Sequence, residues 1–253
     1  MSTWNEDACA VVVGATGTLG GAIARKLIGR GLPVVAVGRD REKLDALAAE
    51  SSLFRPCRAD IADDASIETI KSALTYPVKM AVMSSGLPVR GSALTIEPGD
   101  LSRGANIKVD GLVRLLRAID TGLGRGSRVA VLTGFLAIEP TPHEAAPGAI
   151  NAAVHNLVRQ MAELLGPRGT TVHAICPGPV DTERLRSIAE RISDERGITP
   201  EEAMAEYKAA SSLGELISVD QVAWAANLLL DDEASCLHGS TLAITGGRLK
   251  AIF

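Results

Sequence analysis

Gly14, Gly17 and Gly20 recur at every third position of GATGTLGG, immediately after the apolar run ACAVVV (8–13) and before a helical pattern. Glycines at that spacing suit phosphate chemistry. Without Cβ atoms they permit a tight turn, and backbone N–H groups can then approach a pyrophosphate, whose charge also favours a helix N-terminus. Thr16, Thr18 and Leu19 stand between them and complete the expected cofactor contact. The strand–turn–helix setting separates this stretch from a chance glycine repeat. A second group lies in VAVGRDREKL, where Gly38 ends a strand pattern and Arg39 follows. A carboxylate at such a strand tip grips the ribose 2′-hydroxyl of NAD, whereas an arginine suits the extra phosphate of NADP. NADP(H) is favoured over NAD(H) on this ground, and Asp40 is expected to cap the following helix.

These groups need a scaffold that brings strand tips and helix starts to one edge. Short apolar runs supply it: 8–13, 33–38, 54–58, 78–84, 127–133, 170–176 and 240–244 read as strands. Between them, helical patterns lie near 18–30, 41–50, 64–74, 100–120, 149–166 and 218–230. Seven β-type runs spaced by helices predict right-handed crossovers and a doubly wound parallel sheet of the α/β class. No repeat or Pro/Ser-rich linker divides the chain, so residues 1–253 are read as one domain. Residues 183–213 break the rhythm with a charged helical insertion after the sixth strand. That edge is where such sheets bind ligands, so the segment is read as a lid, against the plainer reading of a solvated helical pair.

Composition narrows the function. The chain is 46% hydrophobic but only 3% aromatic, which matches a core of Val, Leu, Ile and Ala in buried parallel strands. A net charge of −4 with no long run of one sign argues against nucleic-acid or anionic-membrane binding. Cys9, Cys57, Cys176 and Cys236 form no CxxC pair and are expected to be reduced, largely buried thiols rather than metal ligands. The stretch MSTWNEDACA lacks the pattern of a signal peptide, and no apolar run reaches membrane-spanning length. A cytoplasmic protein is expected.

Across its length the chain resembles the short-chain dehydrogenases/reductases. The resemblance rests on GATGTLGG, GRDREKL, RADIADDASI, VDGLVRLLRA, NAAVHNLVRQMAELL, CPGPVDTERL and GSTLAITGG. It implies a Rossmann-type fold, with Asp60 and Ile61 at the adenine, Ser85 and Gly86 beneath a ribose, and Pro177 and Gly178 facing the nicotinamide. SSG at 84–86 stands where that family usually has Asn-Ala-Gly.

The resemblance also implies four catalytic positions. A tyrosine serves as acid/base, a lysine four residues later lowers its pKa, a serine thirteen residues earlier holds the substrate oxygen, and an asparagine on the preceding helix orders a water. A phenol of pKa about 10 works poorly near neutrality without such a cation. Here the tyrosine position aligns with Pro147, the lysine with Asn151, the serine with Gly134 and the asparagine with Lys108. The only tyrosines, Tyr76 and Tyr207, are followed four residues later by Met80 and Ser211. The ordinary mechanism is therefore not expected.

Replacements can be weighed. Lys108 is read either as an ammonium reaching the ribose or substrate oxygen, or as a solvated lysine or partner of Asp110. Thr133 offers a hydroxyl or merely packs; Asn151 occupies the lysine position itself. His143, on the loop EPTPHEAAPG, is a weaker candidate for proton transfer, His155 is read as an interface or core residue, and Tyr207 as packing. Three readings stand: an NADP(H)-dependent oxidoreductase of an unidentified small carbonyl or alcohol, a non-redox enzyme on the same scaffold, or an inactive NADP(H)-binding regulator. Resemblance further implies a homodimer or homotetramer, pairing through Leu112, Leu115 and Leu116 with Leu157, Val158 and Met161.

Overall fold

A computed structural model describes residues 8–74, 77–89 and 91–251. The first seven residues and Tyr76 lie outside the described residues, and with them the targeting reading of the N-terminal stretch.

Seven parallel strands form one sheet in the order β3-β2-β1-β4-β5-β6-β7. They are β1 Cys9–Val13, β2 Val34–Gly38, β3 Phe54–Arg58, β4 Val78–Met83, β5 Arg128–Leu132, β6 Thr171–Pro177 and β7 Thr241–Ile244. Strand order reverses direction between β1 and β4, which opens a crevice at their carboxyl ends. Strands β1, β2, β5 and β6 are buried along their whole length, as their continuous Val/Ala/Ile runs require when both faces are covered. Side chains alternate between two cores. Ala10 and Val12 face one with Ile23 and Leu27; Cys9, Val11 and Val13 face the other with Leu112, Leu115 and Val158.

The covering helices are α1 Thr18–Gly29, α2 Arg41–Glu50, α3 Ser66–Ala73, α4 Asp100–Ala105, α5 Gly111–Ile119, α6 Ala145–Leu165, α7 Glu183–Arg196, α8 Pro200–Ala209 and α9 Val219–Leu228. Most strands and helices fall where the patterns put them; two regions differ. The single helix expected over 100–120 is broken, because a π-helical turn, Asn106–Asp110, separates α4 from α5. Helix α6 starts at Ala145, so Pro147 sits in its first turn, where a missing N–H costs nothing. The proposed pairing face also needs correction. Leu112, Leu115, Val158 and Met161 are buried within this one chain, leaving only Leu116 and Leu157 partly buried.

The insertion forms α7 and α8, tied by a bidentate Arg196–Glu206 ion pair and by a Thr199–Glu202 capping box. Leu185 and Ala189 of α7 are buried. Among the described residues no helix is long and apolar enough to cross a membrane, and no cluster of His, Cys, Asp and Glu could hold a metal.

Candidate active site

Two adjoining cavities open along the carboxyl edge, of about 380 and 390 Å³. The first is bordered by Gly14, Thr16, Gly17, Gly38, Arg39, Asp60 and Ile61; both share Gly17, Ser84–Leu87 and Arg184. Gly14 has φ +83°, a left-handed conformation that favours glycine. A Cβ on Gly20 would lie 2.2 Å from the carbonyl oxygen of Gly14, so the turn closes only on glycine. No side chain caps α1, whose N-terminus therefore faces the cavity with its amides free of a side-chain acceptor. Asp40 caps α2 as expected: its Oδ1 accepts from Lys43 N at 3.2 Å. That bond holds its carboxyl below the usual range. Arg39 is exposed at the rim and stands 3.9 Å from the Asp60 carboxylate.

The second cavity is built from side chains. Thr18, Leu19 and Gly20 border it from α1, Lys108 from the π-turn, Leu132 and Thr133 from the end of β5, Pro147 and Asn151 from α6, and Leu185 and Ile188 from α7. Lys108 is neither a solvated lysine nor a partner of Asp110. Only 6% of it is exposed, and its Nζ donates to Leu132 O and Asn151 Oδ1, each at 2.8 Å. Close packing allows this reach. A Cβ at Gly104 would lie 2.6 Å from Ile150 Cδ1, so glycine lets the α4 segment approach α6, and the π-turn then aims Lys108 inward. Burial, then repulsion from Arg184, outweigh the attraction of Cys176 and bring the Lys108 amine down to about 7.

Beside it runs a polar chain. Thr133 Oγ1 donates to Ile175 O at 3.2 Å, and His155 Nε2 lies 2.8 Å from the same hydroxyl. A carbonyl only accepts and the hydroxyl has one proton, so His155 Nε2 is the donor to Thr133. Burial, with Lys108 nearby, lowers the His155 pKa and keeps the ring neutral. The Cys176 thiol, pushed up to about 11 mainly by burial, is inert at neutrality.

The structure brings Gly14, Thr16, Gly17, Thr18, Leu19, Gly20, Arg39, Asp60, Ile61, Ser85, Gly86, Lys108, Thr133, Asn151 and Gly178 to the two cavities. Pro177 departs from expectation: it ends β6, buried, and Gly178 and Val180 border the cavity instead. His143 is exposed on its loop and borders neither cavity. A Cβ on Gly134 would come 3.4 Å from Asn151 Nδ2, so those two positions face each other across the site. Two residues were missed. His155 follows Asn151 by one helical turn, a spacing that puts both on one face and could have flagged it. Arg184 reaches from α7 to donate through Nη2 to Leu87 O at 2.8 Å; no sequence signal marked it.

A family model described as enoyl-(acyl carrier protein) reductase matches residues 14–248. A galactitol 2-dehydrogenase (L-tagatose-forming) from Cereibacter sphaeroides is 28% identical over 250 residues, covering 96% of this chain and 95% of that protein. Oxidoreductase UcpA of Escherichia coli K12 is 28% identical over 249 residues, covering 94% and 93%. Among solved structures, an actinorhodin polyketide ketoreductase variant with NADPH superposes with a TM-score of 0.87 at 25% identity, covering 98% of this chain and all of that one. An L-sorbose reductase from Gluconobacter frateurii, complexed with NADPH and L-sorbose, shares the fold with a TM-score of 0.87 at 19% identity and coverage of 96% and 97%.

Proposed function

The chain belongs to the short-chain dehydrogenase/reductase family, and from that premise we propose that it is an NADP(H)-dependent oxidoreductase of a small carbonyl or alcohol, with Lys108 in the acid/base role. The observation that carries this reading is the buried Lys108 amine, fixed by two carbonyl acceptors beside the glycine turn.

The residues present fit a dinucleotide. The Gly14–Gly20 turn leaves room for a backbone-bound pyrophosphate at the start of α1, and Arg39 stands where a 2′-phosphate would be held. When bound, NADPH supplies the hydride; the protein supplies geometry and charge. Lys108 has two N–H groups committed to Leu132 O and Asn151 Oδ1. Its third N–H, present only on the ammonium, is the one available to a carbonyl oxygen in the cavity. Proton donation there during reduction leaves a neutral amine, which recovers its proton from solvent. Asn151 and the Leu132 carbonyl hold Nζ in place, and neutral His155 orients Thr133. Pro147 and Gly134, at the family's tyrosine and serine positions, offer neither a phenol nor a hydroxyl for that task.

NADPH consumption against a panel of carbonyl compounds tests the reading, with Lys108→Met expected to lower it by orders of magnitude. Turnover undiminished in Lys108→Met removes Lys108 from the mechanism. The same replacements favour a second reading, a nucleotide-binding regulator without turnover. Tight NADPH binding, seen by fluorescence, with no turnover on the panel would select it. Assembly as a homodimer or homotetramer belongs to the proposal, and sedimentation as a monomer would overturn it.

A further inference from the structure

The second cavity has an unusual balance of charge. The chain carries a net charge of −4, yet the only ionisable side chains bordering that cavity, among the described residues, are Lys108 and Arg184. They enter from different elements, Lys108 from the π-turn and Arg184 from the first turn of α7. Arg184 reaches over the Ser85–Leu87 segment: its Nη1 would lie 3.2 Å from a Cβ on Gly86, and its Nη2 binds Leu87 O. The apolar part of the lining is aliphatic, chiefly Leu19, Leu87, Val180, Leu185 and Ile188, and the rest is uncharged hydroxyl, amide and backbone.

We propose, resting on the oxidoreductase reading above, that the substrate is an aliphatic oxo acid, or the corresponding hydroxy acid, whose carboxylate is held by Arg184 while its carbonyl oxygen meets Lys108. A planar guanidinium matches a carboxylate fork, and a lining whose ionisable side chains, among the described residues, are both cations favours an anionic ligand. Repulsion from Arg184 is one cause of the lowered Lys108 pKa. A bound carboxylate screens that repulsion and returns Lys108 to the ammonium form needed for donation. The reaction balances as oxo acid plus NADPH plus one proton giving hydroxy acid plus NADP⁺. Hydride goes to the carbonyl carbon, the proton passes to oxygen from Lys108, and solvent replenishes it.

The test compares kcat/KM for 2-oxo, 3-oxo and 4-oxo aliphatic acids with that for their methyl esters, at saturating NADPH. A charge-assisted hydrogen bond predicts a preference for the free acid of roughly tenfold or more in at least one pair. Arg184→Leu should collapse that ratio towards one, and Arg184→Lys should restore part of it. Esters that match or beat the acids throughout would overturn the proposal. So would an Arg184→Leu variant that keeps the ratio but loses NADPH affinity, because Arg184 would then serve the cofactor's phosphates. A calorimetric titration of the NADP⁺ complex with oxamate, against neutral oxamide, works without turnover. Tighter oxamate binding, lost in Arg184→Leu, supports the anion site even if no carbonyl compound is reduced, a result that would remove only the redox reading. Equal or undetectable binding of both probes refutes it.

Discussion

The two cavities of one cleft are made by different means. The nucleotide half is backbone: a turn closed by glycines, an uncapped helix start, and Gly38 at a strand tip, all within Gly14–Arg39. The reacting half is side chain: Lys108, Thr133, Asn151, His155 and Arg184 arrive from four separate segments. A backbone site tolerates no added atom but little cares which neighbours surround it. A side-chain site can trade its members among positions provided that one cation reaches the same spot. On the proposed alignment the lysine and asparagine of the family pattern exchange helices, and the 2.8 Å contact of Lys108 Nζ with Asn151 Oδ1 holds the amine at the cavity.

The largest effect that would break this contrast is loss of the cation. Lys108→Met should lower kcat by roughly 10²–10⁴-fold, the range for removing a positioned acid or base, while NADPH affinity changes little. Asn151 Oδ1 and Leu132 O would lose a donor, so a thermal melt should accompany the kinetics to separate chemistry from folding. The pH profile sharpens the same point. With Lys108 at about 7 in the free protein, kcat/KM for reduction should be highest below that pH and fall about tenfold per unit above it, because only the ammonium donates. The groups facing Lys108 leave the sign clear. Arg184 stays charged, Cys176 keeps its proton until about 11, and His155 is neutral near pH 7. Oxidation of the alcohol needs the neutral amine and should show the opposite slope. A kcat/KM for reduction flat from pH 6 to 9 would take Lys108 out of the chemical step.

On the nucleotide side the corresponding break is steric. Gly20→Ala places a Cβ 2.2 Å from Gly14 O, a backbone atom that cannot swing away. The turn must open, so NADPH dissociation constants by fluorescence should rise about 10- to 100-fold, and overpacking should cost about 1–3 kcal/mol of stability. Glycine-to-alanine tolerance at this position would mean the turn is a structural corner only.

The contrast also explains what could be read in the chain beforehand. Local patterns specify the glycine turn, the Asp40 cap and every strand of the sheet, since each depends on residues adjacent in sequence. The π-turn was not legible: Asn106–Asp110 looks like uninterrupted helix, and what distorts it is packing at Gly104 against Ile150, remote in sequence. For the same reason Lys108 could be taken for a surface lysine, and Leu112, Leu115, Val158 and Met161 for a pairing face, when the chain's own core buries all five. Arg184 illustrates the limit. Its helix start is marked by Thr182, which accepts from Leu185 N, but nothing local says that the guanidinium turns back to Leu87.

The smallest expected effect tests whether any side chain matters in the nucleotide half. Arg39 is 76% exposed at its side chain and 3.9 Å from Asp60, a loose pair that contributes little in water. A 2′-phosphate arriving there competes only with that weak contact, and its own hydrogen bonds to the guanidinium are charge-assisted but solvent-screened. Arg39→Leu should therefore weaken NADPH by about 3- to 10-fold, corresponding to about 1 kcal/mol, and leave NADH within twofold. Asp60→Asn should strengthen NADPH slightly by releasing Arg39. Salt provides the internal check, since raising ionic strength should erode the NADPH preference of the unaltered protein towards that of Arg39→Leu. An Arg39→Leu variant that weakens NADPH and NADH alike would show that the arginine shapes the rim rather than reading the phosphate. The nucleotide half would then depend on backbone alone, and the preference for NADP(H) would need a source elsewhere.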